Sequence, residues 1–400
     1  MTVNFFADQD IALVGLWGRR SHAGGQPIPR ARPLASFLLK GVVCVALAAS
    51  TAMAGDWSVS LPGWKYDFPA DHGNHDGFKT EWWYFTGNVA DAEGRAFGYQ
   101  LTFFRQGILP PGEQSAATSR FIARNIQFAH FAVSDLKAGG FHFDQKLSRG
   151  AYGEAGFDGK DGLAWIKGWR CELVGEHTFR LRADSEEASI DLTLESTKDP
   201  VFHGEDGISQ KAEGVGRASH YYSLTRLKTR GTFITPSGTF EVTGWSWFDH
   251  EWATNQLAPH QIGWDWFSIH FDDGSDLMMF QIRTKDGGRD PFSSGTYVAA
   301  DGTQTAITNA DFELVPGRTW KSPDSGGEYP VDWKLSIPSL DLNLQISAAM
   351  DAQELFLQPI AYWEGAIRVK GKKSGTPASG SGYLEMTGYG SPIVGMQATE

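Results

Sequence analysis

Eight consecutive residues put two carboxylates beside two indoles: Trp245-Ser246-Trp247-Phe248-Asp249-His250-Glu251-Trp252. Side chains alternate along a strand, so Trp245, Trp247, Asp249 and Glu251 would share one face. An apolar wall disfavours a charged carboxyl, and a second carboxylate nearby disfavours it further. One of the two acids should therefore keep its proton near neutral pH, as a general acid must. The same residues also suit a structural use, an acid pair satisfied by backbone amides or an arginine.

The theme recurs twice. Asp265 lies between Trp264 and Trp266, and Glu81 precedes Trp82 and Trp83. A buried acid needs a partner. Arg105 and Arg283, which end the two following apolar runs, are the natural ones. For Glu81, an ion pair with Arg105 that fixes a strand is as good a reading as catalysis. His72 and His75 stand three apart among acids, but the sequence offers them no clear third histidine. Hydrogen bonding is preferred for them over a metal, and no cofactor is called for. There is no H-E-x-x-H, no cysteine cluster, no G-x-S-x-G, no P-loop and no dinucleotide fingerprint. Cys171, in the alternating run Trp-Arg-Cys-Glu-Leu, reads as a buried, inert thiol.

The elements that must position these residues are strands. Period-two alternation recurs along the chain and no segment holds a 3.6 period. Glycine is abundant at 47 residues and aromatics reach 13%, with 15 Trp, a balance that suits many short strands and turns. Predicted strands include 83–89 and 97–105 as a hairpin, 219–226, 230–234, 239–248, 264–271, 277–284, 362–370 and 382–388. A short helix is expected near 204–213, and 372–381 reads as a long hairpin loop. The run from Trp83 to Arg105 resembles that from Trp266 to Arg283, which points to two similar β-domains. Their boundary falls near 234–238 or shortly after the Trp245–Trp252 motif, giving 55–238 and 239–400.

Ahead of them, Arg30 and Arg32 precede a short apolar run that ends in Ala52-Met53-Ala54. This reads as a secretory signal peptide within a 1–54 leader, its first 29 residues lying ahead of the true start. A periplasmic or secreted location follows. The net charge of −12 excludes nucleic acid as a partner and argues against docking on anionic lipid.

Taken together, the motifs resemble the AttH-like family, which includes the carotenoid 1,2-hydratases (hydroxyneurosporene synthases). The resemblance is carried by His72, His75, Thr80-Glu81-Trp82-Trp83-Tyr84-Phe85-Thr86-Gly87 and Gly98–Arg105. It continues through Gly244–Trp252, Gly263–Ser268, Tyr362-Trp363-Glu364-Gly365 and Gly382–Tyr389. It implies two lipocalin-like antiparallel β-barrels in tandem and an apolar ligand such as a terpenoid, polyene or lipid. Acid-catalysed addition of water to an isolated alkene is the implied chemistry. Asp249, then Asp265, with Glu251 beside them, is the implied acid. Trp245, Trp247, Trp264 and Trp266 would face the cation, while Glu81, Trp83, Arg105 and His250 would line the ligand site. Family members also carry labels of secreted hydrolase, or of a binding component linked to an ABC transporter. Those readings stay open, as does the oligomeric state.

Overall fold

A computed structural model describes residues 57–116, 122–158 and 162–392. The leader and its signal-peptide motif lie outside them. No helix among the described residues is long and apolar enough to cross a membrane.

The chain is all-β, two lipocalin-like antiparallel barrels in tandem. In the first, β1 (Thr80–Ala90), β2 (Ala96–Gly107), β3 (Asn125–Asp135) and β4 (Gly140–Ser148) form a meander. The six-residue helix α1 (Pro111–Ala116) interrupts it. A second meander runs through β5 (Ala155–Asp158), β6 (Gly162–Ile166), β7 (Trp169–Gly175), β8 (Thr178–Asp184) and β9 (Ser189–Ser196). After the short β10 (Val201–Phe202) and β11 (Ile208–Gln210) comes a long hairpin, β12 (Ala218–Thr235) and β13 (Gly238–Ala253). That hairpin joins the meanders: the strand order is β4-β3-β2-β1-β13-β12-β9-β8-β7-β6-β5, with β10 and β11 added on β12.

The second sheet begins with β14 (Gln261–Phe271), β15 (Asp276–Thr284), β16 (Ser294–Val298), β17 (Gln304–Ile307) and β18 (Glu313–Pro316). A separate pair, β19 (Thr319–Lys321) and β20 (Glu328–Pro330), follows. The sheet resumes with β21 (Asp332–Ile337), β22 (Leu342–Ala348), β23 (Glu354–Phe356), β24 (Ala361–Lys373) and β25 (Thr376–Met386). Its order is β17-β16-β15-β14-β25-β24-β22-β21-β18, with β23 on β24.

Among the described residues, alternation sorts most of the buried aromatic side chains to the two barrel interiors and to the gap between the sheets. Trp83, Phe85, Phe248 and Trp252 pack inside the first barrel. Phe267, Met279, Trp363 and Leu384 pack inside the second. Their neighbours of opposite parity, Tyr84, Trp247, Trp266, Phe280 and Tyr383, form a third cluster where the two sheets face each other. Full burial of each such side chain is worth roughly 1.5–3 kcal/mol. Strands that read as nearly continuous apolar runs, rather than as apolar–polar alternation, are those buried on both faces.

The structure differs from the sequence reading at four places. The change of sheet comes after Ala253, the later of the two boundaries, because β13 pairs with β1 and β12; residue 238 is only the turn of that hairpin. The strands read at 219–226 and 230–234 are one strand, with its irregularity at Leu224/Leu227. The helix expected near 204–213 is absent: Gly204, Asp206 and Gly207 have φ of 77°, 51° and 81°, and β11 follows them. The loop expected at 372–381 is mostly strand. The chain reverses on Ser374-Gly375, with φ of 49° and 74°, the two left-handed residues of a type I′ turn.

Candidate active site between the two barrels

Where the sheets face each other they line a half-open cavity of about 230 Å³. Its walls are aromatic, with Trp82, Phe104, Phe128, Trp264, Trp266 and Phe280, and aliphatic at Leu257 and Ile282. Carboxyls enter from both sides, Asp249 and Glu251 from β13 and Glu385 from β25.

Asp249 is 3% exposed. Tyr221 Oη donates to its Oδ2 at 2.6 Å, and Trp247 Nε1 donates to its Oδ1 at 2.6 Å. Ser223 Oγ bonds the same Oδ1. Trp266 Nε1 in turn donates to Tyr221 Oη at 3.0 Å, which ties the acid to the second sheet. Burial pushes the Asp249 carboxyl up to about 7, against the pull of its three donors. Glu385 is pushed up to about 8, by burial and then by the charges of Asp249 and Glu251 across the cavity. Glu364 sits directly opposite Glu385 on β24 and accepts from Tyr84 Oη at 2.8 Å. Burial and the Glu385 charge raise it well above the carboxylate range. Glu251 is paired with Lys211, whose Nζ is 3.1 Å away and lies over the Phe280 ring. The cavity thus presents mainly neutral acids, phenols and indoles, a setting that can donate protons and tolerate a developing cation.

On the opposite face of β13 lies a second acid cluster, inside the first barrel. Glu81 and Arg105 are cross-strand partners on β1 and β2, with Arg105 Nη2 2.9 Å from Glu81 Oε2. His75 Nδ1 and His250 Nε2 approach Glu81 Oε1 at 2.7 and 3.0 Å, and His75 Nε2 also reaches Asp71. Trp252 stacks on His75 at 3.7 Å. Burial would raise the Glu81 carboxyl, but the charges of His75 and Arg105 outweigh it and hold it far below the usual range. His75, Glu81 and His250 offer ligand atoms within 4.8 Å of one another. Each of those atoms already has a hydrogen-bonding partner, and a guanidinium is bound to the same carboxylate. A dication would have to displace these bonds beside a fixed positive charge, so the residues fit a metal poorly. His72 is engaged elsewhere, with Tyr222 Oη at 2.6 Å.

Alternation also places the remaining candidates. Asp249, Glu251, Trp264 and Trp266 line the cavity; Glu81 and Arg105 border it with their charged heads engaged by each other. Trp247 backs Asp249 as a donor. Asp265 shares no face with Asp249: it points into the second barrel, against Arg283 Nε at 3.2 Å and Gln281 Nε2 at 2.7 Å. Trp83 and His250 point into the first barrel. Trp245 lies at the surface over Arg226. Sequence reasoning assigned no role to Tyr221, Ser223, Lys211, Glu364 or Glu385. The signal for the last two was an acid among apolar residues in Tyr362-Trp363-Glu364 and Tyr383-Leu384-Glu385, the same pattern as at Asp249.

The AttH-like family model matches residues 59–389. The chain belongs to the AttH-like family. An AttH from Nitrosomonas europaea has a crystal structure similar to this chain, with TM-score 0.73 and 32% identity. The similarity covers 83% of this chain and 99% of that one. Kievitone hydratase of Fusarium solani subsp. phaseoli is 22% identical over 88% of this chain and 97% of its own length. The crystal structure of kievitone hydratase from Nectria haematococca shares the fold, with TM-score 0.65 and 15% identity over 84% and 97% of the two chains. A dehydratase of Emericella nidulans is 23% identical over 52% of this chain and 61% of its own. This AttH-like chain is thus similar in sequence to enzymes named for adding or removing water.

Proposed function

We propose that this AttH-like protein is a hydro-lyase that adds water across an isolated C=C of an apolar, terpenoid-type molecule, or removes it. The observation that carries the reading is Asp249, a buried carboxyl that keeps its proton near neutrality on the wall of an aromatic cavity. An alkene is a poor base, so its protonation needs an undissociated acid in a dry site. Asp249 gives its proton to one alkene carbon and the cation forms at the more substituted one. The indoles of the wall stabilise that cation by up to about 2 kcal/mol each when desolvated. Water then bonds to the cationic carbon, and its surplus proton returns to the carboxylate that Asp249 became on giving up its own. Kievitone hydratase and the dehydratase support this class of reaction by their names.

The test is incubation of the purified protein with C10 to C40 isoprenoid alkenes in ¹⁸O-labelled water. The expected result is ¹⁸O in a tertiary alcohol, lost in Asp249→Asn. Absence of label for every alkene, together with tight binding of the same alkenes, would replace the enzyme by a carrier. The signal-peptide reading of the leader supports a location outside the cytoplasm, which cell fractionation tests.

A further inference from the structure

Asp249 is wired to more than its cavity. From its cross-strand neighbour on β12, three side chains form a continuous hydrogen-bonded line. Ser223 Oγ bonds Asp249 Oδ1. His203 Nε2 lies 2.6 Å from Ser223 Oγ, and His203 Nδ1 lies 2.9 Å from Thr296 Oγ1. The line starts on β12, passes the residue that follows β10, and ends on β16 of the other barrel. The His203 backbone N–H is fixed to the Tyr221 carbonyl at 3.0 Å, so the ring cannot drift from the line. Ser223 is 0% exposed, His203 1% and Thr296 5%, so all three are buried and Thr296 is the least buried of them.

Proton counting leaves this line two arrangements. His203 has no acid partner, and burial and then Lys211 push it down to about 3, so it is neutral with one N–H and one lone pair. In the first arrangement Thr296 donates to Nδ1, Nε2–H donates to Ser223, and Ser223 donates to an ionised Asp249. In the second every bond is reversed, and Asp249 carries the proton and donates to Ser223. Passing from one to the other moves one proton per link: a hydronium ion gives one to Thr296 and leaves as water, Thr296 gives one to Nδ1, Nε2 to Ser223, and Ser223 to Asp249. No intermediate residue is left charged and no atom is left over.

We propose that Ser223, His203 and Thr296 form a proton relay that recharges Asp249 from solvent while the cavity is filled. The proposal rests on Asp249 acting as the proton donor. It answers a problem that reading creates: a carboxyl raised to about 7 is ionised in part of the molecules, and an apolar molecule that fills the cavity over an ionised Asp249 shuts off the other route by which a proton could reach it. The remaining polar groups facing Asp249 do not offer that route. Tyr221 and Trp247 are buried donors, and Glu251 is held by Lys211. Glu385 stands across the cavity, on the far side of the bound molecule.

The test reads the Asp249 carboxyl and not turnover, so it stands or falls apart from the hydratase assignment. The infrared band of the protonated acid is identified by its loss in Asp249→Asn, and its exchange into D₂O is timed with the cavity empty and filled. Farnesane, a saturated C15 alkane, fills it, with filling checked by tryptophan quenching. Ala361→Trp at the cavity wall takes its place if the alkane does not quench. In the filled unmodified protein exchange should continue at close to the empty rate. In filled His203→Gln, which keeps a hydrogen bond at each end but cannot pass a proton through, it should slow at least tenfold, with the titration midpoint of the band unchanged. Thr296→Val, which does not touch Asp249, should slow it likewise. Equal rates in the three filled proteins would overturn the relay, as would exchange that stops on filling the unmodified protein.

Discussion

Adjacent residues of one strand serve two buried acid sites that behave in opposite ways. Asp249 and Glu251 face the gap between the barrels, while His250 and Trp252 face the interior of the first. In the gap, Asp249 is met by a phenol, a hydroxyl and an indole, all neutral, and its carboxyl rises to about 7. In the barrel interior, Glu81 is met by Arg105 and His75 and is held far down. Burial is nearly equal at the two sites: Asp249 is 3% and Glu81 1% exposed. The charge of the partners therefore decides. At these two sites neutral donors leave the acid able to trade its proton, whereas Arg105 with His75 holds Glu81 as an anion and a strut; at Asp265 burial outweighs Arg283 and the carboxyl is raised. Only the first kind adjoins space for a substrate with its acid poised.

The largest effects should separate the two sites by type. Asp249→Asn should lower alkene hydration by about 10²–10⁴-fold, the worth of a general acid, with no loss in urea-denaturation stability. A loss of stability without loss of rate would invert the comparison. Glu81→Gln should do the reverse. It leaves Arg105 unpaired in the interior and should cost about 3–5 kcal/mol of unfolding free energy, while turnover per folded molecule changes less than tenfold.

The pH dependence should have opposite signs. Glu81 and Asp71 are held below their ordinary values of 4.5 and 3.8, so their stabilising contribution is present above those values and is lost as the pH falls through the folded-state ones. Asp249 and Glu385 are raised to about 7 and about 8. Their contribution is full below about 4 and is lost as the pH rises through 7 and 8. Buried neutral histidines such as His203 and His130 act the other way over this range, so the test is the difference between proteins. From pH 5 to pH 8, Asp249→Asn should gain stability relative to the unmodified protein. Activity should fall over the same interval, since the acid must be protonated. The smallest effect tests one bond. Tyr221 donates to the ionised form of Asp249, so Tyr221→Phe should raise the acid by about one unit and carry the alkaline limb of the rate profile upward with it. A downward shift would mean that the phenol serves the protonated form.

Much of this was visible in the chain itself. Period two placed Trp247, Asp249 and Glu251 on one face, and the hairpin spacing matched Glu81 with Arg105 and Asp265 with Arg283, because both are local properties of a strand and its turn. The end of the first sheet was less legible. Residues 238–253 complete that sheet through pairing with β1, whose Thr80 lies opposite Ala253 although far earlier in the chain, and no local pattern announces such a partner. The helix read at 204–213 and the loop at 372–381 failed for a related reason. Glycine and serine there supply left-handed turn residues, while cross-strand pairing sets the rest of the backbone.

By itself, then, the sequence determined a β protein whose tryptophans bracket acids, and which neighbours along each strand must point to opposite sides. It could not determine which side would be the cavity. Asp265 and Asp249 look alike in sequence, each beside indoles, yet one meets a guanidinium inside a barrel and the other meets a phenol and open space. That difference is made by the packing of two sheets against each other, which brings Tyr221, Trp266, Glu364 and Glu385 to the same gap from strands far apart in the chain. An acid's proton affinity depends on the groups around it in space, and those groups are set by tertiary structure.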